Sequence, residues 1–283
     1  MKTNIAFNAS GDVNGYTVSY MQTSVDQFAG MSSARLSVDM GDMGVIAFDQ
    51  GSGSGLATID DKTPTAAEEI WDGLDGTTTG GLVGTAGNSG VFNYIKTIGG
   101  VTFNGAARRG SGASNSDGSS SGAGQSAWDF ALTGSGDIVG VDGISWGAGY
   151  GTADAGEQTV TTSTEHDTEH FTGFINYSAG PVTIGYQESH IDNGKAAGSS
   201  EYTEAFGIAV AVNENLSVSY GERDVEYTNT AGTESVTEAG EGIAISYTMG
   251  SMKIAGNRNE VANNDNSANS NDEMTEIAVS FAF

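Results

Sequence analysis

The chain has 283 residues, 37% of them hydrophobic, with 43 Gly, 2 Pro and no Cys. That length suits one large barrel or two small domains, and the lack of Cys excludes a disulfide framework or a thiolate metal site. Acidic residues outnumber basic ones 36 to 10, a formal charge of −26, which excludes nucleic acid as a partner because that needs a basic footprint.

Alternation of large apolar with small or polar residues starts at the first residues, with no apolar leader core ahead of it. Ile5/Phe7, Tyr16/Val18/Tyr20, Leu36/Val38/Met40 and Ile46/Phe48 open the series, and Phe92/Tyr94 and Val101/Phe103 follow a long gap. Then come Trp128/Phe130/Leu132, Ile144/Trp146/Tyr150, Phe171/Ile175/Tyr177 and Val182/Ile184/Tyr186. Phe206/Ile208/Val210/Val212, Leu216/Val218/Tyr220, Ile243/Ile245/Tyr247, Met252/Ile254 and Ile277/Val279/Phe281/Phe283 complete about fifteen predicted strands. A period of two gives each strand one oily and one polar face. No apolar run approaches the roughly 20 residues of a membrane helix, so any crossing of a membrane would be by strands.

The gaps alternate in length. Turn-forming runs at 11–15, 41–44, 99–100, 180–181, 214–215 and 250–251 are short, and 137–143 is slightly longer. Polar gaps at 111–125, 151–168, 192–200, 228–236 and 261–272 are long. This rhythm predicts an all-β, antiparallel up-and-down transmembrane barrel with one smooth and one elaborated rim. The first and last strands then run in the same direction, an odd count that a bacterial single-chain barrel does not close. A further strand is therefore expected before Met1, with any secretion signal already removed.

Residues 51–89 form the longest stretch without strand alternation, and an insert of this size is usually functional. Thr65 and Glu68 have capping-box spacing and predict a short helix over 66–72. The terminal Phe283, the strand and loop rhythm, and the run Asp60-Asp61…Thr63-Pro64-Thr65-Ala66…Glu68 after the fifth strand together resemble the sixteen-stranded general porins of Gram-negative bacteria. The likeness is to the acidic porins of alphaproteobacteria in particular, and it covers essentially the whole chain.

The resemblance implies an outer-membrane homotrimer, associating through strands near both termini. The 51–89 loop would fold inward to constrict a water-filled channel for passive diffusion of small hydrophilic solutes. It implies that Asp60, Asp61, Glu68, Glu69, Asp72 and Asp75 form the acidic side of that constriction. The family's basic residues stand on the opposite wall. Strand phase turns Arg35, Arg108 and Arg223 toward the lumen, with Lys253 inward beside a short turn. With acid in such excess, a cation preference is expected. Trp128, Trp146, Tyr177, Tyr186, Tyr220 and Tyr247 lie on the apolar phase, as interface girdles do, and Phe283 would sit at the interface. Lipid and lipopolysaccharide are the expected surroundings.

Other signals carry less. His166 and His170 match a zinc-protease spacing, but on an extended chain they lie roughly 13 Å apart and cannot share one ion. Asp265, Ser267 and Asn269 mimic a calcium loop without its glycine, so at most weak Ca²⁺ binding in the acidic outer loops is expected. No cofactor, metal centre or catalytic residue is expected. Two other readings stay open: a soluble or surface-attached extracellular β protein with a dry core, and a substrate-specific channel lined by aromatics, of which Phe174 is one of few inward-phase examples.

Overall fold

The computed structural model describes residues 5–25, 30–50, 53–74, 82–86, 89–110, 126–154, 167–194, 200–228 and 236–281. Asp75, His166 and Phe283, singled out above, lie outside them.

Fifteen strands form one antiparallel up-and-down sheet in chain order. They are β1 (Ala6–Val13), β2 (Tyr16–Ser24), β3 (Met31–Asp39), β4 (Val45–Gln50) and β5 (Ser89–Ile98). Next come β6 (Val101–Arg108), β7 (Ala127–Ser135), β8 (Ile144–Ala153), β9 (Thr168–Ala179) and β10 (Val182–Asp192). β11 (Ser200–Ala211), β12 (Leu216–Thr228), β13 (Glu238–Met249), β14 (Met252–Ala262) and β15 (Asp272–Phe281) complete the wall. Each falls on one of the expected alternating segments. Among the described residues β1 pairs only with β2 and β15 only with β14.

The smooth rim follows from local chemistry. Asn14 and Gly15 turn β1 into β2 with φ of 52° and 85°, and Gly99 and Gly100 turn β5 into β6 with φ of 60° and 86°. Two successive left-handed residues match the twist of the flanking strands, and Asn and Gly reach that region at least cost.

The oily phase points away from the enclosed side. Ile277 is 76% exposed and Phe92 63% exposed, and Phe7, Ile175, Ile243 and Phe281 are exposed too. The alternate positions are buried and mostly small or polar: Asn93, Asp129, Thr172, Gln187, Ser189, Thr203 and Asn259. An extracellular β protein with a dry core needs the reverse arrangement, so the structure overturns that reading. Among the described residues, apolar packing inside is limited to small patches, chiefly Leu56, Ile59, Val83, Ala131 and Ile191 with Phe174 against them.

The helix expected over 66–72 is absent; the segment makes isolated turns, with Asp72 N–H donating to Glu69 O (3.1 Å) and Leu74 N–H to Trp71 O (3.3 Å). Thr65 does cap locally, its hydroxyl accepting from Ala67 N–H (3.3 Å) and donating to Glu68 O (2.7 Å). The wall holds the segment as separate turns, with Ser219 on Ala66 N–H and Asn259 on Glu69 O and Asp72 O. A 3-10 turn lies instead at Gly55–Ile59.

Candidate functional site

Between β4 and β5, residues 53–74 and 82–86 lie along the inner wall, with contacts from β3 round to β14. The segment is rooted at Arg35 on β3, which donates to Asp49 Oδ2 (2.9 Å), Asn93 Oδ1 (2.7 Å) and Gly53 O (3.4 Å). Asp49 is 1% exposed and also accepts from Ser54 Oγ at 2.7 Å. Asn104 on β6 then receives Gly55 N–H (3.0 Å), and Asp129 on β7 receives Leu56 N–H (3.0 Å).

On β10, Gln187 holds three successive points of the chain: its amide donates to Ile59 O (2.8 Å) and Asp60 O (3.0 Å) and accepts from Lys62 N–H (2.6 Å). Asn176 on β9 donates to Lys62 O (2.8 Å), and Ser219 on β12 accepts from Ala66 N–H (2.8 Å). Asn259 on β14 donates to Glu69 O (3.1 Å) and Asp72 O (2.9 Å). The return limb donates Gly84 N–H to His170 Nδ1 on β9 (3.0 Å). It then comes back to Asp129, whose Oδ2 accepts from Thr85 N–H (3.0 Å) and Ala86 N–H (2.8 Å). One buried carboxylate thus ties together the outgoing and returning limbs.

The seat for this segment is cut into the wall by missing side chains. Gly185, Gly207, Gly221 and Gly242, on β10 to β13, are direct cross-strand partners of one another. Asn176 flanks the row on β9 and Asn259 on β14. A Cβ on Gly185 would strike Pro64, and on Gly207 it would lie 2.8 Å from Pro64 O. On Gly221 it would lie 2.9 Å from Ile70 Cγ2, and on Gly242 3.0 Å from Ile70 Cβ. Those separations are below real carbon contacts, so only glycine admits the loop at this depth. Strand alternation did not reveal this track. Its legible signal was glycine at the inward phase of four consecutive strands in matching register.

Asp60, Asp61, Glu68, Glu69 and Asp72 all ride on this segment. Glu68, Glu69 and Asp72 bring carboxylate oxygens within 4.8 Å of one another. Burial first, then the neighbouring Asp61 charge, pushes Asp60 up to about 7. Glu68 is raised chiefly by its hydrogen bond with Asp72, and Glu69 by burial. Lys62 stands 3.7 Å from Asp61.

The three arginines all hold the loop. Arg35 grips its root, and Arg108 Nη2 donates to Thr85 O on the return limb at 3.4 Å. Arg223, 5% exposed, lies 4.8 Å from the Trp71 ring centroid and 3.8 Å from Glu238. Beside Arg35 the inner wall continues with Met21 and Asn8, in one cross-strand row with it on β1–β3, as are Ser10, Ser19 and Ser37 with one another. His170 is spent on the Gly84 N–H. On the outer face Trp128, Tyr177, Tyr186 and Tyr247 are exposed, with Trp146 and Tyr220 half-exposed.

No family model matches the sequence, and no curated protein sequence does. Solved structures do match by shape. A porin refined at 1.8 Å resolution superposes with a TM-score of 0.71 at 14% identity, covering 99% of this chain and 92% of that one. The anion-selective porin from Comamonas acidovorans gives 0.66 at 10% identity, over 100% and 90%. OmpT, an outer membrane protein of Vibrio cholerae, gives 0.66 at 12%, over 98% and 86%. At these identities the likeness is one of fold, and the fold of this chain is the general-porin barrel.

Proposed function

We propose that the protein is an outer-membrane porin through which small hydrophilic solutes diffuse passively, with a preference for cations. The observation that carries this reading is the inverted wall, apolar outside and polar inside, with a long segment seated along its inner surface. Lipid outside and water inside satisfy both faces. No bond is made or broken in such a channel, and the side chains act by size and charge.

The sign of the preference follows from how the charges are spent. The loop carries five described carboxylates, Asp60, Asp61, Glu68, Glu69 and Asp72, and one amine, Lys62. Arg35 and Arg223 are paired with Asp49 and Glu238, and Arg108 faces a loop carbonyl. The water-facing balance of the constriction is therefore negative, which raises local cation concentration and lowers that of anions. Association as a homotrimer through strands near both chain ends completes the reading.

The test is a planar bilayer under a KCl gradient. A stepwise conductance and a reversal potential of cation-selective sign support the proposal. Absence of conductance from detergent-solubilised, folded protein refutes the channel. Anion-selective sign refutes the charge assignment alone. Cross-linking in detergent reports the number of copies.

A further inference from the structure

The outward face is not equally tall all round the wall. On β7 the outward positions from Ser135 up to Trp128 carry no charge, and on β9 the first outward charge, Glu169, is ten positions above Ala179. At about 3.4 Å per residue and a tilt of about 40°, ten positions rise roughly 26 Å, the height of a full apolar band of about 25 Å. On β10 and β12 the first outward charges come after only six positions: Glu188 above Val182, and Glu222 above Leu216. Arg258 is six above Met252 on β14, Glu204 seven above Ala211 on β11 and Glu241 eight above Met249 on β13. Six positions rise only about 16 Å, roughly 9 Å short of that band.

Arg258 pairs with Glu260 (2.6 Å) and Glu273 (2.9 Å), whereas the carboxylates of β10–β13 stand on the lipid side in direct opposition. Glu188 faces Glu204, which faces Asp224; Glu222 faces Glu241, which faces Glu260. Like charges directly across a sheet repel, and only a high-dielectric medium makes the repulsion small. Tyrosines reach up to them from below. Tyr186 Oη lies within hydrogen-bond distance of Glu188 (2.7 Å) and Glu204 (2.6 Å), and Tyr220 Oη of Glu222 (2.5 Å) and Glu241 (3.1 Å), each hydroxyl having one proton to donate between its two carboxylates. A tyrosine with ring down and hydroxyl up marks a boundary between hydrocarbon and water. Here that boundary lies four positions above the turn.

We propose that the sector β10–β14 borders a locally thinned bilayer, its outer headgroup and water layer drawn down to these carboxylates. A second copy of the same face is a poor alternative occupant, because it would set carboxylates against carboxylates. The inference rests on the membrane reading above, and it adds that the barrel deforms its lipid on one side only. Mismatch of this kind costs fractions of a kcal/mol per Å, less than leaving several carboxylates in hydrocarbon.

The chain has no Cys, so single-cysteine spin labels report depth cleanly. Ile243→Cys lies six positions above Met249 in the short sector, and Tyr150→Cys six above Ile144 outside it. In phosphatidylcholine vesicles, accessibility to oxygen and to a water-soluble nickel chelate gives each label's depth. The expected result is a label at 243 several Å closer to water than the label at 150. Adding E204A, E222A and E241A should move the label at 243 deeper, toward the value at 150. Equal, deep labels at both sites overturn the thinned sector and leave the membrane reading standing. A label at 243 shielded from both reagents overturns it in favour of a protein partner. A label at 150 exposed to water removes the membrane reading itself.

Discussion

Removing the Asp129 carboxylate should release the inward-lying segment between β4 and β5 without unfolding the barrel. Asp129 is 2% exposed and accepts backbone N–H groups from Leu56, Thr85 and Ala86 at 3.0, 3.0 and 2.8 Å. Hydrogen bonds to a charged group contribute about 1.5–3 kcal/mol each, so three sum to roughly 4.5–9 kcal/mol. Removing the charge also removes a burial cost of several kcal/mol. The net loss for D129A is therefore about 2–4 kcal/mol, which raises the loop's opening constant roughly 30- to 700-fold. The strand pairing of β7 uses its backbone and is untouched by the substitution.

Single-channel recording in planar bilayers reads the effect as larger unitary conductance and greater open-channel noise. Liposome swelling should extend to larger sugars. Heat-dependent mobility on detergent gels checks that the barrel remains folded. A folded D129A channel with wild-type conductance, noise and size cut-off would refute the idea that this carboxylate holds the loop.

Other consequences are as direct. Gly207→Ala places a Cβ 2.8 Å from Pro64 O; the overpacking costs about 1–3 kcal/mol and should lift the loop from its track, altering conductance, whereas Ala at Gly11, near the smooth rim of β1 with nothing within 4 Å of its Cβ, should leave conductance unchanged. Arg35→Ala strands the buried Asp49 charge, and loss of one partner of a buried pair costs about 3–5 kcal/mol, read as a lower unfolding temperature on detergent gels. Trp71→Ala and Arg223→Ala should couple in a double-mutant cycle by about 0.5–2 kcal/mol, the range for a stacked cation. The last concerns pH. With Asp60 pushed up to about 7, its negative charge is present above that value and lost as pH falls through it. Cation selectivity should drop between pH 8 and pH 5, steeply near 7, and Asp60→Asn should remove that step; an unchanged reversal potential over the interval refutes the assignment.

Much of the fold was already written in the residue order. A period of two is a purely local property, so Phe171/Ile175/Tyr177 or Leu216/Val218/Tyr220 announced both a strand and the direction of its oily face. Turn chemistry was equally local: Asn14-Gly15 and Gly99-Gly100 can adopt backbone angles that few other residues reach. Carboxylates on the 51–89 loop were legible by composition. What the sequence did not yield depends on long-range register. A helix over 66–72 was the sound local expectation; the segment lies instead as separate turns against the wall, held by Ser219 and Asn259, more than 150 positions away. Phase alone turned Arg35, Arg108 and Arg223 inward, but only the assembled wall placed Asp49, Thr85, Trp71 and Glu238 against them and made them fasteners of the loop. Four glycines on four strands become one groove only when the register aligns them, because hydrogen-bonded pairing, and no property of any single strand, decides which residues are neighbours.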